Sequence, residues 1–489
     1  MEAILTPAAM AEADARTIAA GTPVDVLMER AGRAVAWASR RLVGGCYGRR
    51  AVVVCGKGNN GGDGLVAARV LRGWGMRVET VELAGPVERA VVARAIARAD
   101  LVIDAMYGTG FRGALDGDAA WLAGEIGASP AVVIAVDIPS GIDGATGAAS
   151  GAAVAADLTV TFAARKPGVV FEPGRSLSGA VEVADIGISV DDDLVGAVSL
   201  DRVDVLELVP PRSAVAHKWA AAVMVVGGSG GMTGAPMLAS DAAMRAGSGM
   251  VVCGLPGDDA AQRAAGGVVI TRALPALDDG ALAVDAVDAV LSQLERFRVL
   301  ALGPGLGRHP DTQRAVRELL AHTEIPIVLD ADGLNALDGR VHLLANRAEG
   351  GAVTVVTPHD GEYRRLTGAD VGADRVAAAR SLADRSNAVV LLKGPTTVVA
   401  APGVDPVYLN PTGTQLLATA GTGDVLTGVV AAFIARGAAL PEAAAAAAWA
   451  HGRAAELAAA SAGSQGGVGV VAGDVVAALA STLAPDLDP

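Results

Sequence analysis

Cysteine is scarce in this chain. Cys46, Cys55 and Cys253 are odd in number and share no disulfide or metal-ligand spacing, which excludes a disulfide scaffold and a zinc finger and favours a reducing compartment. No block of Lys or Arg interrupts a formal net charge of −14, so binding to nucleic acid or to an anionic membrane surface is excluded. No apolar run reaches the ~18–20 residues of a membrane span; Arg436, Glu442 and Arg453 break the best candidate. The opening Met1-Glu2-Ala3-Ile4-Leu5 lacks the basic-then-apolar order of a secretory signal. A soluble, unexported, cytoplasmic protein is expected. Aromatic residues are only 3% of the chain although 52% of it is hydrophobic. Ala, Val and Gly carry the apolar fraction, which suits helices lying close on a sheet.

At 489 residues the chain exceeds one ordinary core. Residues 10–42 read as two helices around Gly21-Thr22-Pro23, with Leu27, Ala31 and Val35 at helical spacing. The apolar run 51–55 then enters the polar glycine loop 56–64, and a helix is expected from Leu65. That loop contains G-x-G-x-x-G after a strand, and Glu79 stands where an acid holds a ribose in dinucleotide folds. Yet Asn59, Asn60 and Asp63 add more oxygens than a phosphate cradle needs; such oxygens suit a hard cation, or the hydroxyls and amide of a nucleotide. Two further strands end in Asp104 and Asp137, and a last one, 158–162, precedes Lys166. The alternation implies a parallel sheet with its ligand crevice at the carboxyl ends of the strands. One acid at a strand end is commonly a cap; several at once point to a site.

An acidic stretch and Pro210-Pro211 mark the expected boundary between domains 1–209 and 210–489. The alternation then resumes with strands at 222–226, 298–302, 327–330, 353–356 and 389–392. The expected fold class is therefore α/β, with two doubly wound domains. In the second, Gly421-Thr422-Gly423-Asp424 turns into a long apolar helix. Such a turn offers free backbone N–H groups at the positive end of a helix dipole, an anion site. Asp424 either N-caps that helix or takes a proton from a hydroxyl that attacks phosphorus. The turn Lys393-Gly394-Pro395-Thr396-Thr397 pairs a cation with hydrogen-bond donors as a nucleotide phosphate demands. It lies one hairpin's length ahead, which favours the catalytic role. Of the six histidines only His359, at a strand end, reads as a ligand contact; His217 reads as linker and His451 as structural.

GKGNNGGDG, DAMYGTGFRG, VDIPSGIDG and TFAARKPG, in that order, resemble the NAD(P)H-hydrate epimerase domain, a Rossmann-like module that interconverts the R and S forms of hydrated NADH or NADPH. The resemblance implies hydrate contacts from Asn59, Asn60, Gly61, Gly62, Asp63, Gly108, Thr109, Gly110, Phe111, Arg112, Gly113, Ala114 and Asp137. It also implies potassium held by Asn60, Asp104 and Ser140, and acid–base work by Asp137 with Lys166. GGSGGMTGA, GPGLG, DADGLNAL, TPHDGE, LLKGPTT and AGTGDVLTG resemble the ADP-dependent NAD(P)H-hydrate dehydratase, which is ribokinase-like. The implied roles are hydrate contacts from Ala235, Gly305, His359 and Asp424, nucleotide contacts from Lys393, Gly394, Pro395, Thr396, Thr397 and Gly423, and magnesium bridging the phosphates of ADP or ATP.

Four positions depart from the resembled pattern: Trp219 for glycine, Asp360 for proline, Thr414 for asparagine and Ala420 for glycine. Only the first is expected to alter a loop near the hydrate. The expected partners are small molecules and further copies of the chain. A small-molecule kinase fused to a nucleotide-binding module, and a non-catalytic sensor of hydrated cofactors, are the alternatives.

Overall fold

The computed structural model describes residues 1–264, 267–461 and 469–484. The chain forms two compact units, Glu2–Val198 and Ser199–Pro489, Met1 counting with the second.

In the first unit six strands run parallel in the order Arg77–Glu82, Arg50–Cys55, Leu101–Ala105, Val132–Val136, Leu158–Phe162, Ala180–Ala184. Successive residues of each strand serve opposite faces. Val53, Cys55, Ile103 and Ile134 pack with Ala31, Val35, Ala67 and Leu71 of the helices Val24–Leu42 and Asn59–Gly73. Val52, Val54, Val102 and Val133 pack with Val92, Ile96, Leu122 and Ile126 of the helices Arg89–Ile96 and Gly117–Gly127. Helices on both faces bear out the doubly wound class. The order reverses beside Arg50–Cys55, so the loops after that strand and after Leu101–Ala105 flank the crevice where ligands bind in such sheets.

Three local expectations fail here. The helix begins at Asn59, not Leu65, so the glycine loop is mostly a helical first turn. Its glycines serve close packing: a Cβ on Gly61 would lie 2.0 Å from the Gly56 carbonyl oxygen, and one on Gly62 2.6 Å from the Met28 side chain. Glu79 sits exposed in mid-strand rather than at its end. A sixth strand, Ala180–Ala184, follows the one read as last.

The second unit is built on a sheet in the order Val404–Asn410, Thr397–Ala401, Val389–Leu392, Thr354–Val356, Ile327–Leu329, Val299–Leu302, Ala222–Val226, Met250–Pro256, Ile270–Leu274. It is parallel except for the hairpin formed by the first two. Val223, Val225, Ala301 and Val328 share a core with the helices Thr422–Ala435 and Leu440–Ser461. The second of these is apolar around much of its circumference, and Ala443 to Ala448 are all buried accordingly. The helix Arg202–Leu208 lies just ahead of the expected boundary, capped reciprocally by Asp201 and Asp204. Its Val205 joins the second unit's core, so the units divide ahead of the double proline. No described helix is long and apolar enough to cross a membrane.

Thr422–Ala435 crosses the helix Gly234–Arg245 at Gly428, where an added Cβ would stand 2.0 Å from the Ala239 carbonyl oxygen. Gly428→Ala gains ~1 kcal/mol of helix propensity, but forcing a methyl against backbone costs more. The expected net effect is a loss of about 1–3 kcal/mol, read from the urea midpoint of the second unit's transition. A variant as stable as its parent would contradict so close a helix crossing.

Candidate active sites

The first unit holds a cavity of about 1060 Å³ beside the reversal of its sheet, roomy enough for a dinucleotide. Its wall takes in Asn59, Asn60, Asp63, Gly108, Thr109, Gly110, Phe111, Arg112, Asp137 and Lys166, but not Gly61, Gly62, Gly113 or Ala114. Met28, Leu27 and Ile186 give it an apolar side. Asp14, on the helix Pro7–Ala19, also lines it, and nothing in the sequence signals that.

Asp137 lies just past Val132–Val136 with φ of 67°, a costly conformation for a residue with a Cβ. It is fixed from several sides. Its Oδ1 accepts from Lys166 Nζ at 2.7 Å and Thr161 Oγ1 at 3.1 Å, and its Oδ2 from the Thr109 amide at 3.1 Å. Burial pushes the Asp137 carboxyl up, but Lys166 and these bonds outweigh it and hold it below the usual carboxylate range. Lys166 itself is 1% exposed. Its other two protons go to Thr161 Oγ1 at 2.9 Å and the Phe162 carbonyl at 2.8 Å. All three ammonium donors are thus committed.

Beneath the wall, Asp104 is fully buried at the end of its strand. Ser140 donates to it twice, from Oγ at 2.6 Å and from N at 2.8 Å, and the Met106 amide once at 3.2 Å. No cationic side chain acts on it, and burial pushes its carboxyl to about 6 despite these bonds. Asn60 Nδ2 is buried with no partner among the described residues. Its Oδ1 would lie 3.2 Å from a Cβ on Gly108, and Asp137 Oδ2 3.0 Å from the same point. The first turn of Asn59–Gly73 and the two loops therefore bring Asn60, Gly108 and Asp137 together.

In the second unit, the N-cap of Thr422–Ala435 is Gly421 at φ +89°, and no side chain caps the helix. Asp424 stands in its first turn without capping it. Burial and Asp330 push its carboxyl up to about 7, with Lys393 pulling the other way. Lys393 follows Val389–Leu392, and a Cβ on Gly423 would lie 3.7 Å from its Nζ. That Nζ donates to Asp330 Oδ1 at 2.8 Å and lies 3.6 Å from Glu362 Oε2. Burial works against this ammonium, but the two carboxylates prevail and hold it above its ordinary value. Asp330 is buried, and its Oδ2 accepts from Thr427 Oγ1, on the helix of Asp424, at 2.6 Å. Sequence reasoning passed over Asp330, Glu362 and Thr427, although Asp330 ends a strand as Asp104 does.

His359 N-caps the helix Asp360–Thr367: its Nδ1 accepts from the Gly361 amide at 2.9 Å, and its own amide donates to Glu362 Oε2 at 2.9 Å. Gly394 leaves room for Arg375, whose Nη2 donates to the Lys393 carbonyl at 2.7 Å. Thr396 is buried and Thr397 opens the hairpin; Pro395 lies between this pair and Gly394. Ala235 and Gly305 meet: a Cβ on Gly305 would be 3.3 Å from that of Ala235. Trp219 packs edge-on against Phe297, centroids 5.6 Å apart, with Arg296 over its ring, so its bulk is absorbed by neighbouring side chains. His451 is buried in its helix, and burial lowers its imidazole to about 4.

Residues 223–474 match the family model described as NAD(P)H-hydrate dehydratase, and residues 24–99 and 86–168 match that of the YjeF-related protein N-terminus. The chain is 41% identical to the bifunctional NAD(P)H-hydrate repair enzyme Nnr of Moorella thermoacetica, covering 93% of this chain and 91% of that one. It is 39% identical to the enzyme of the same name from Mycobacterium leprae, covering 93% and 94%. Among solved structures, an ADP/ATP-dependent NAD(P)H-hydrate dehydratase from Bacillus subtilis, co-crystallized with ATP/Mg2+, is 29% identical, with a TM-score of 0.48 over 58% of this chain and 96% of that one. With two family models in tandem and relatives aligned along nearly its whole length, the chain belongs to the bifunctional NAD(P)H-hydrate repair enzymes.

Proposed function

We propose that this chain repairs hydrated nicotinamide cofactors with two centres, the first unit interconverting R- and S-NAD(P)H hydrate and the second dehydrating the S form to NAD(P)H at the expense of ADP or ATP. The observation that carries the second activity is Asp424: an uncapping carboxyl, raised to about 7, at a bare helix N-terminus beside Lys393. A base poised near the working pH suits proton removal from a hydroxyl. Asp424 takes the proton of the ring hydroxyl as that oxygen bonds to phosphorus and the bond to the leaving phosphate breaks. The Gly423 region of the turn supplies amide dipoles to the transferred group. Loss of that phosphate and a neighbouring ring proton regenerates the double bond. Lys393 stays charged, clamped by Asp330, and presents a fixed cation to the nucleotide.

Magnesium supplies neutralisation of phosphate charge when bound. Among the described residues no three His, Cys, Asp or Glu form a metal cage, so its ligands would be phosphate oxygens and water, with Asp330 or Glu362 the nearest carboxylates of the Lys393 cluster. In the first unit a potassium ion fits the buried Asp104, which has hydrogen bonds but no cation. Asn60 and Ser140 would complete its protein ligands. Asp137 is the proton acceptor there, and Lys166 positions it. A cytoplasmic setting and a homo-oligomer complete this reading.

Recovery of near-ultraviolet absorbance from mixed R- and S-NADPH hydrate with ADP, magnesium and potassium tests the whole. Complete recovery, faster than the epimers interconvert unaided, supports both activities. Recovery halting at the S fraction removes the epimerase, and a stable phosphorylated product would favour a simple kinase. Asp424→Asn should abolish dehydration and spare epimerisation. In the parent, kcat/KM for dehydration should rise with pH through about 7 as Asp424 loses its proton; a flat profile there would exclude it as the base.

Lys166→Met leaves Asp137 buried without its cation and should destabilise the first unit by about 3–5 kcal/mol at neutral pH. Because Lys166 depresses the Asp137 carboxyl, its stabilisation is full above the ordinary carboxylate range and is lost as pH falls below it. The gap between variant and parent in urea melts should therefore narrow toward acid pH. A pH-independent gap would show that the pair is not what Lys166 contributes.

A further inference from the structure

Epimerisation at the hydrated carbon needs a proton donor as well as a base, and Lys166 has no proton to spare. The cavity offers another group. Asp63, on the helix Asn59–Gly73, is 8% exposed and lines the cavity together with Asp137. Among the described residues its carboxyl joins no hydrogen bond. An unpartnered carboxyl more than nine-tenths buried and open to a substrate cavity is costly unless it is neutral or is used there.

We propose that Asp63 is the general acid of the epimerase centre; this rests on the epimerase reading above. In the forward step Asp137 takes the proton of the ring C6 hydroxyl while the C6–N1 bond breaks. The bonding pair passes to N1, conjugated through the ring's remaining double bond to the carboxamide, and N1 takes the proton of Asp63. The product is an open-chain aldehyde. Rotation about C5–C6 presents its other face, N1 re-attacks, and both protons return. Nothing is oxidised or reduced, and no co-reactant is consumed.

The surroundings sort the two carboxyls into these roles. Burial, then the charges of Asp137 and Asp14, push the Asp63 carboxyl up to about 8. Lys166 holds Asp137 ionised. The other charged groups on the wall are Lys57, Arg112, Asp116 and Asp118. Two acids driven apart by their environments are the usual mark of an acid–base pair.

The test follows the appearance of S-hydrate from purified R-NADH hydrate by chromatography, using the full-length protein with potassium and no nucleotide, on both sides of pH 8. The parent rate should fall as pH rises through about 8. Asp63→Asn should lose about 10²–10⁴-fold in kcat, with KM moved far less, and should lack that alkaline limb. Asp63→Glu should recover part of the rate and the limb. An unchanged urea transition of the first unit reports that the variant is intact. Infrared titration of the parent alone gives a second measurement, expected to show a protonated carboxyl at neutral pH that ionises near pH 8. Full epimerase activity in Asp63→Asn, an unchanged alkaline limb, or no such carboxyl in the parent would each overturn the assignment. A parent no faster than the unaided reaction would instead remove the epimerase reading.

Discussion

Both units depend on carboxylates carried out of water at the carboxyl ends of parallel strands. Asp104, Asp137 and Asp330 are each nearly or wholly buried there, where an uncompensated charge costs several kcal/mol. Three compensations appear. Asp137 has Lys166 and two further donors. Asp330 has Lys393 and the Thr427 hydroxyl. Asp104 has only Ser140 and the Met106 amide, which is why it alone of the three is driven upward, to about 6. Each acid ties to its own strand end a loop or helix that is remote in sequence. The strain at Asp137 and at Ala331, φ 51° next to Asp330, persists because these bonds over-determine the backbone.

The same chemistry separates groups that hold charge from groups that move protons. Lys166 and Lys393 both sit against an acid and are largely buried, and Lys393 is held above its ordinary value by its two carboxylates. Asp424 and Asp63 have no comparable bond and are pushed to about 7 and about 8. An acid paired with a cation is kept ionised and so ready to accept a proton, as Asp137 is, whereas an isolated buried one is drawn toward the working range and can also supply one. Each centre thus joins a clamped ion pair to one loosely held carboxyl.

Much of this was legible in the sequence because parallel strands buried on both faces read as unbroken apolar runs. Val132–Val136 and Ala222–Val226 fell where expected. Glycine and asparagine are poor helix formers, so the first turn at Asn59 read as loop; contacts with Gly56 and Met28, invisible locally, decide it. Ala180–Ala184 escaped notice as a short, half-exposed edge strand. The pairing of Thr427 with Asp330 joins residues 97 positions apart, a separation that no motif spans. The sequence puts Lys166 just past the strand end, and the structure has it line the cavity, but that all three of its donors are occupied is seen only in the fold.

Asp360 shows how a departure from a familiar pattern is absorbed. It is the first residue of its helix, where proline is favoured for its fixed φ and its dispensable N–H. Aspartate forgoes that preorganisation but places a negative charge at the positive end of the helix dipole. It also pairs twice with Arg375, at 3.0 and 2.9 Å. Asp360 is exposed, so the pair by itself is worth at most about 1 kcal/mol. Arg375, however, is largely buried and donates onward to the Lys393 carbonyl, over a Gly394 whose missing Cβ leaves the space. The His359–Glu362 turn and the Lys393 turn are thereby joined on the outside by Asp360 and Arg375, and on the inside by Glu362 and Lys393. A proline at 360 would leave only the inner link, so the substitution exchanges local stiffness for a second tether between the two turns that flank the fixed cation.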